Sequence, residues 1–150
     1  MTTWMVVEDE PDIKEMVKAM FQIWGVGGIA FSDGMEAVNW IQQSHTGKLR
    51  SEIPDLALLD IRLPTLSGVE VAARLRRSRY LAGITIVLFT AYRLSPEHEQ
   101  EVMTMSQADG LLYKPLPEMD DLRVYLENLV TARRERKGLP YILGSSVKKQ

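Results

Sequence analysis

One stretch of the sequence decides the predicted fold, and it reads Asp55-Leu56-Ala57-Leu58-Leu59-Asp60-Ile61-Arg62-Leu63-Pro64. Its four consecutive apolar residues, 56–59, are too few for a helix and are typical of a strand buried on both faces of a parallel sheet. The run ends on Asp60, and ligands of open α/β sheets bind at the carboxyl ends of the strands. A lone aspartate at this position is usually a cap or turn residue. A functional role for Asp60 therefore depends on which side chains stand at the ends of the other strands.

The composition is that of one ordinary globular domain. The 150 residues are 45% hydrophobic and 25% charged, and they include no cysteine, which excludes disulfides and thiolate metal sites. No apolar run approaches the roughly 18 residues that a membrane span needs. The first residues show no basic segment of the kind that opens a signal peptide. We therefore expect a cytoplasmic protein with no membrane partner.

The charge is divided unevenly along the chain. Residues 131–150 hold six basic side chains and one acidic side chain, whereas residues 1–130 hold 12 basic and 19 acidic ones. The acidic body argues against direct nucleic-acid binding, because a phosphate backbone attracts basic surfaces. We expect one domain over residues 1–132, with a basic helix end and a flexible tail or truncated linker at 133–150.

Short apolar runs alternate with amphipathic segments five times. Strands are predicted at 4–7, 28–31, 55–59, 84–89 and 110–113. Helices are predicted at 11–24, 35–43, 96–107 and 119–136, and a further helix follows the turn at 65–68 and runs to about residue 79. This alternation predicts a doubly wound (βα)5 sandwich, in which helices cover both faces of a five-stranded parallel sheet. The third helix should expose Arg74, Arg76, Arg77 and Arg79, and the fourth should bury a thin stripe of Val102, Met103 and Met105.

Four of the predicted strands end on side chains that can carry chemistry. They deliver Glu8 with Asp9, Asp60, Thr90 and Lys114 to the same edge of the sheet. Three neighbouring carboxylates raise one another's pKa unless a cation lies among them, and Mg²⁺ prefers such oxygen ligands. A lysine and a hydroxyl can bind phosphoryl oxygens, and a carboxylate can accept a phosphoryl group. The set therefore indicates Mg²⁺-dependent phosphoryl transfer.

Several stretches stand in order at these strand ends: Val6-Val7-Glu8-Asp9-Glu10, Leu58-Leu59-Asp60-Ile61-Arg62-Leu63-Pro64 with Gly68, Leu88-Phe89-Thr90-Ala91, and Tyr113-Lys114-Pro115. The segment Asp33-Gly34-Met35-Glu36-Ala37 adds a turn into the second helix. Together they resemble the receiver domain of two-component response regulators, the CheY-like superfamily, over residues 4 to about 132. The resemblance implies a flavodoxin-like fold and a phosphorylation-dependent signalling switch.

The resemblance also implies a role for each site residue. Asp60 would be the phosphoacceptor and would form an aspartyl phosphate with a group taken from a sensor histidine kinase or a phosphotransfer protein. The protein would assist its own phosphotransfer and autodephosphorylation, without being an enzyme that acts on an external substrate. Mg²⁺ would be the cofactor, and its ligands would be Glu8, Asp9, Asp60 and the backbone carbonyl of Arg62.

The remaining implied roles concern the phosphoryl group and the output. Thr90, Ala91 and Lys114 would bind the phosphoryl group, and the peptide bond between Lys114 and Pro115 would be cis. The face made by the fourth helix, fifth strand and fifth helix would change on phosphorylation and bind a partner or a second copy.

One position departs from the family pattern. The aromatic switch residue that usually stands three positions before the lysine is Leu111 here, and the aromatic Tyr113 lies next to Lys114 instead. The output therefore calls for a different rearrangement of the fourth helix. Arg62 and Tyr92 lie two residues past Asp60 and Thr90, where they would flank the phosphoryl site and influence how long the phosphate lasts.

Three other classes of protein share parts of this pattern. A pseudo-receiver would be an interaction module that is not phosphorylated, and the intact acidic set argues against it. A phosphohydrolase of the haloacid dehalogenase kind needs a second aspartate two residues after the first, where Arg62 stands. A nucleotide or flavin binder needs a phosphate-binding loop after the first strand, and the sequence there is acidic and lacks glycine.

Overall fold

The computed structural model describes residues 2–44, 53–135 and 141–142. Its elements are β1 (Thr3–Val7), α1 (Pro11–Ile23), β2 (Gly27–Phe31), α2 (Gly34–Ser44), β3 (Leu56–Asp60), α3 (Gly68–Arg77), β4 (Thr85–Thr90), α4 (Pro96–Ser106), β5 (Gly110–Tyr113), α5 (Met119–Arg134) and β6 (Tyr141–Ile142). Neighbouring strands are all parallel, in the order β2-β1-β3-β4-β5-β6. The predicted doubly wound (βα)5 architecture is confirmed.

The sheet has one strand more than the sequence predicts. β6 pairs with β5 opposite Gly110 and Leu111, inside the segment that was expected to be a tail or linker. A two-residue strand is too short to leave a periodic pattern, so the glycines, proline and serines around it dominate the sequence signal. The rest of the expected tail, at 136–140 and 143–150, lies outside the described residues.

The two faces of the sheet bury separate apolar cores. Met5, Leu59 and Leu88 point toward α2, α3 and α4, whereas Leu58 and Phe89 point toward α1 and α5. This division follows from the alternation of side chains along a strand. All five residues of β3 are buried, as expected for a strand covered on both faces. On β5 the same alternation sends Leu111 and Tyr113 toward α4 and sends Leu112 toward α5.

Serine hydroxyls cap the first turns of α3 and α4. The Ser67 hydroxyl accepts the Glu70 amide at the start of α3, and the Ser95 hydroxyl accepts the His98 amide at the start of α4. Both caps follow loops that leave the carboxyl ends of β3 and β4, so they also hold those loops next to the sheet edge where the candidate site lies. In the part of the chain that the structure describes, no helix is long and apolar enough to cross a membrane.

The prediction that Arg76 lies on an exposed side of α3 is wrong. Its side chain is only 5% exposed, and its guanidinium pairs with Asp109 at 2.9 Å. The same group donates to the backbone carbonyls of Gln107, Ala82 and Ile84. The loop after α3 folds back over the end of the helix and encloses the guanidinium, a tertiary effect that helical periodicity does not report.

The predicted inner face of α4 needs a similar correction. Val102 and Met103 are buried as expected, but Met105 is 59% exposed. Glu99 takes the inward place instead and is only 3% exposed. Glu99 precedes Val102 and Met103 by three and four residues, which is the spacing of one helix face. A charged residue at such a position is not predicted to be buried unless its partner is known.

Candidate functional site

The predicted acidic residues converge at the carboxyl edge of the sheet. Val7 pairs with Leu59 in the sheet register, so Glu8 and Asp60 follow at the same level. Carboxylate oxygens of Glu8, Asp9 and Asp60 all lie within 4.8 Å of one another. Glu8 and Asp60 are buried, whereas Asp9 is exposed. The cluster therefore has a buried floor and one acid that reaches solvent.

Asp60 is held on two sides. Its Oδ1 accepts the backbone amide of Arg62 at 3.0 Å, and its Oδ2 accepts the Lys114 ammonium at 3.0 Å. Its residue exposure is only 4%. A carboxylate that is fixed by an amide and an ammonium presents its oxygens in one orientation, which favours reaction with a donor that enters from the open side.

Lys114 also contacts the second buried acid. Its Nζ lies 2.9 Å from Glu8 Oε1, and Glu8 Oε2 accepts the Glu10 amide. Burial raises the pKa of Glu8 and the Asp60 charge adds to the rise, whereas the Glu10 amide and Lys114 oppose it; the net pKa is about 7. Burial lowers the pKa of Lys114, but the two carboxylates outweigh burial and the net pKa is raised. Lys114 is therefore a fixed positive charge.

The raised pKa of Glu8 predicts a pH-dependent stability in the absence of divalent cations. Glu8 ionises near 4.5 in an unfolded chain and near 7 in the fold. Between these values the folded state binds more protons, so the free energy of unfolding should fall as pH rises, by about 2–3 kcal/mol over the window. Urea unfolding in EDTA at a series of pH values measures this slope. The Glu8→Gln protein should lack this pH-dependent fall in stability. Parallel plots of the free energy of unfolding against pH for the two proteins would contradict the prediction.

Thr90 and its neighbours complete the edge. Thr90 is the last residue of β4 and is buried, and its backbone carbonyl accepts the Lys114 amide at 2.8 Å. Its hydroxyl accepts the Tyr92 amide at 3.2 Å. Ala91 is exposed beside it. The peptide bond between Lys114 and Pro115 is cis, as the resemblance implies.

An open pocket of about 300 Å³ lies at this edge of the sheet, next to Asp60 and Lys114. The Arg62 guanidinium is stacked 4.2 Å from the centre of the Tyr92 ring beside it. The pocket is lined by Asp9, Glu10, Asp60, Arg62, Ala91, Tyr92 and Lys114. The sequence placed Arg62 and Tyr92 at the flanks of the site, and the structure adds that the two side chains contact each other.

Gly68 brings the loop after β3 close to Asp60. A Cβ at this position would clash with the Asp60 carbonyl oxygen and would lie 2.8 Å from the carbonyl carbon. The Gly68 amide donates to the Ile61 carbonyl at 2.9 Å. The sequence marked Gly68 as a motif residue without a physical reason, and this close backbone approach supplies one.

The predicted site residues are therefore brought together, with two additions from the structure. The Glu10 amide orients Glu8, and Glu99 binds the hydroxyl of Tyr113 on the α4 side of β5. Glu10 stands in a quoted motif, so sequence could have pointed to it. Nothing in the spacing of Glu99 identifies Tyr113 as its partner.

Fold and site together define a (βα)5 domain with a buried aspartate, two further acids and a lysine at the carboxyl edge of its sheet. The family model for the response regulator receiver domain matches residues 4–127. The chain belongs to this family, whose general function is a phosphorylation switch in two-component signalling.

Two curated relatives show how far the similarity extends. The phosphate regulon transcriptional regulatory protein PhoB of Pseudomonas aeruginosa is 33% identical over 114 residues, which cover 75% of this chain and 45% of PhoB. The polar-differentiation response regulator DivK of Brucella ovis is 29% identical over 112 residues, covering 75% of this chain and 83% of DivK. The match thus spans less than half the length of PhoB and most of DivK.

Solved structures share the fold. The chemotaxis protein CheY4 of Vibrio cholerae is 25% identical with a TM-score of 0.71, and the match covers 86% of this chain and 98% of CheY4. The receiver domain of a sensor histidine kinase from Pseudomonas aeruginosa has the same TM-score at 23% identity, covering 87% of this chain and 98% of that one. That second structure holds a magnesium ion in its active site cleft.

Proposed function

We propose that Asp60 accepts a phosphoryl group from the phosphohistidine of a sensor histidine kinase or a phosphotransfer protein, in a Mg²⁺-dependent reaction. The observation that carries this proposal is the position of Asp60. Its buried carboxylate lies on the floor of the open pocket, fixed by Lys114 and the Arg62 amide, with two further acids within 4.8 Å. Membership of the receiver family supports the same role.

The residues at the site fit a divalent cation. When Glu8 is ionised, three carboxylates face one lysine, whose Nζ lies 2.9 Å from Glu8 and 3.0 Å from Asp60. Hard oxygen donors and uncompensated negative charge suit Mg²⁺. Glu8, Asp9, Asp60 and the backbone carbonyl of Arg62 would hold it. When bound, the ion would neutralise charge on the acids and on the phosphoryl oxygens.

The protein's own groups would position the reaction. A carboxylate oxygen of Asp60 attacks phosphorus, the P–N bond of the donor histidine breaks, and its electron pair returns to the imidazole ring. Lys114 offers an ammonium to a phosphoryl oxygen, and the Thr90 hydroxyl and the Ala91 amide lie at the end of β4 where they can bind the others. Later attack by water on phosphorus would release phosphate and regenerate Asp60.

The stacked pair of Arg62 and Tyr92 should slow that last step. The two side chains line the pocket together with Asp60 and are stacked on each other, so they would restrict the approach of water to phosphorylated Asp60. We expect Tyr92→Ala to lose its phosphoryl group several-fold faster than the wild type, measured by intact mass after removal of the donor. Tyr80→Ala, which removes the ring beneath Arg79 outside the pocket, is the matched control. Equal lifetimes in all three proteins would exclude this role.

Phosphorylation would be read at the face of α4, β5 and α5, where a partner or a second copy would bind. Lys114 directly follows β5, and Thr90 directly precedes the loop into α4. Both groups that would contact the phosphoryl group are therefore joined covalently to elements of this face. A shift in either one changes the position of that surface.

The donor class can be tested with phosphoramidate, a small molecule that has the P–N bond of phosphohistidine. With Mg²⁺ present, ³¹P spectra should show that the wild-type protein converts phosphoramidate to phosphate by way of an acyl phosphate signal. Asp60→Asn keeps the shape of the side chain and should show neither. Equal consumption of phosphoramidate by the two proteins would contradict the proposal.

A further inference from the structure

A buried hydrogen bond links α4 to β5 immediately beside the site. The Tyr113 hydroxyl donates to the Glu99 carboxylate, and both residues are buried, at 9% and 3% exposure. The same hydroxyl oxygen accepts the Leu94 amide at 3.3 Å. The Arg93 guanidinium lies 4.0 Å from the centre of the Tyr113 ring. The phenol of Tyr113, the last residue of β5, thus contacts both α4 and the loop before α4.

This bond holds α4 more specifically than its apolar contacts do. The described part of α4 buries only two large apolar side chains, Val102 and Met103, against the core. A buried hydrogen bond to a carboxylate is stronger than one between neutral groups, so it favours the position of α4 in which the Tyr113 hydroxyl reaches Glu99. Burial raises the pKa of Tyr113 to about 12, and the bond to Glu99 contributes in the same direction. The phenol therefore remains a proton donor at every physiological pH.

The same phenol is connected to the groups that would meet the phosphoryl group. Tyr113 precedes Lys114 in the chain, and the Lys114 amide binds the Thr90 carbonyl at 2.8 Å. The Thr90 hydroxyl in turn accepts the Tyr92 amide, two residues before Leu94. If Thr90 and Lys114 turn toward a phosphoryl group, the strand end and the loop that meet at the Tyr113 hydroxyl both move. The family's aromatic position offers no such contact, because Leu111 is an apolar side chain in the core.

We propose that the Tyr113 hydroxyl, bound between Glu99 of α4 and the Leu94 amide, is the latch that holds α4 in its resting position, and that phosphorylation of Asp60 releases it. This inference rests on the proposed function, since the releasing event is the arrival of the phosphoryl group. In this chain Tyr113, the residue next to Lys114, would relay phosphorylation to α4. The released α4 would then present a changed surface to the partner.

Hydrogen exchange of the α4 amides tests the latch, with the mass of the intact protein recorded on the same samples. In the wild type, acetyl phosphate with Mg²⁺ should add one phosphoryl group and speed exchange in α4 about tenfold, the factor expected for the loss of one hydrogen bond to a charged group. Tyr113→Phe should show the fast exchange in α4 before any phosphorylation, with little further change after it. Glu99→Gln keeps an acceptor oxygen and should stay close to the wild type.

Tyr125→Phe is the matched control, because it makes the same chemical change in α5 on the opposite face of the sheet. It should leave α4 exchange as in the wild type. The latch is overturned if Tyr113→Phe exchanges like the wild type in α4, or if it speeds exchange equally in α1 and α4, which is the mark of general destabilisation. Phosphoryl gain without any change in α4 overturns the latch and leaves the proposed function standing. No phosphoryl gain in the wild type removes both.

Discussion

Gly68→Ala is expected to lower the free energy of unfolding by about 3–5 kcal/mol and to abolish phosphoryl acceptance at Asp60. The added Cβ would overlap the Asp60 carbonyl oxygen and would lie 2.8 Å from its carbonyl carbon and 3.1 Å from Ile61 Cα. These are backbone atoms, which cannot rotate away as a flexible side chain can. Either β3 shifts at the residue that carries the site, or α3 is pushed outward.

Two measurements on the same variant check this prediction. Urea unfolding gives the loss of stability, and intact mass after treatment with acetyl phosphate and Mg²⁺ gives the loss of acceptance. Gly83→Ala is the control, because a Cβ at Gly83 meets no atom within 4 Å and its backbone needs no positive φ. A Gly68→Ala protein that unfolds at the wild-type urea concentration and gains a phosphoryl group would show that the Asp60 backbone tolerates displacement.

Arg76→Met is expected to destabilise the fold by a similar amount, about 3–5 kcal/mol. The substitution removes one of the two arginines that pair with Asp109 among the described residues, and it leaves the Gln107, Ala82 and Ile84 carbonyls without the guanidinium. Asp109 Oδ2 also accepts the amide of Ile86 in β4 at 2.8 Å. A displaced Asp109 would therefore weaken a hydrogen bond of β4 as well. Methionine fills the space of the aliphatic stem, so the effect reports mainly on the charged head.

Thermal or urea unfolding measures the change, and Arg77→Met provides the matched control. Arg77 is the next residue of α3 and is exposed. We expect this control to stay within about 0.5 kcal/mol of the wild type, as is usual for surface substitutions. Equal stabilities of the two variants would mean that the buried guanidinium contributes nothing beyond its aliphatic stem.

The edge of the sheet could be predicted from sequence because a parallel sheet leaves little freedom there. Once 56–59 is recognised as a buried strand, Asp60 must lie at its carboxyl end, and the same argument places Glu8 and Lys114. Chain direction alone brings these groups to one edge. The prediction needed no knowledge of side-chain packing. The structure places the Lys114 ammonium within hydrogen-bond distance of the Asp60 and Glu8 carboxylates.

The surroundings of the site could not be predicted, because they depend on which side chains meet across elements. Periodicity placed Arg76 on the outside of α3, yet a loop and Asp109, 33 residues further along, enclose it. Glu99 is buried for the same reason, since its partner lies 14 residues away on β5. Sequence showed that Tyr113 stands beside the lysine, but only the fold shows that its hydroxyl lies at α4. A short strand such as β6 gives no periodic signal at all.

Intact mass shows whether Asp60 is a Mg²⁺-dependent phosphoacceptor. Wild type and Asp60→Ala are incubated with acetyl phosphate, with and without Mg²⁺, and are measured under conditions that preserve acyl phosphates. We expect a gain of one phosphoryl group in the wild type with Mg²⁺ and no gain in the other three samples. A wild-type protein that gains nothing, or an Asp60→Ala protein that gains the same mass, would contradict it.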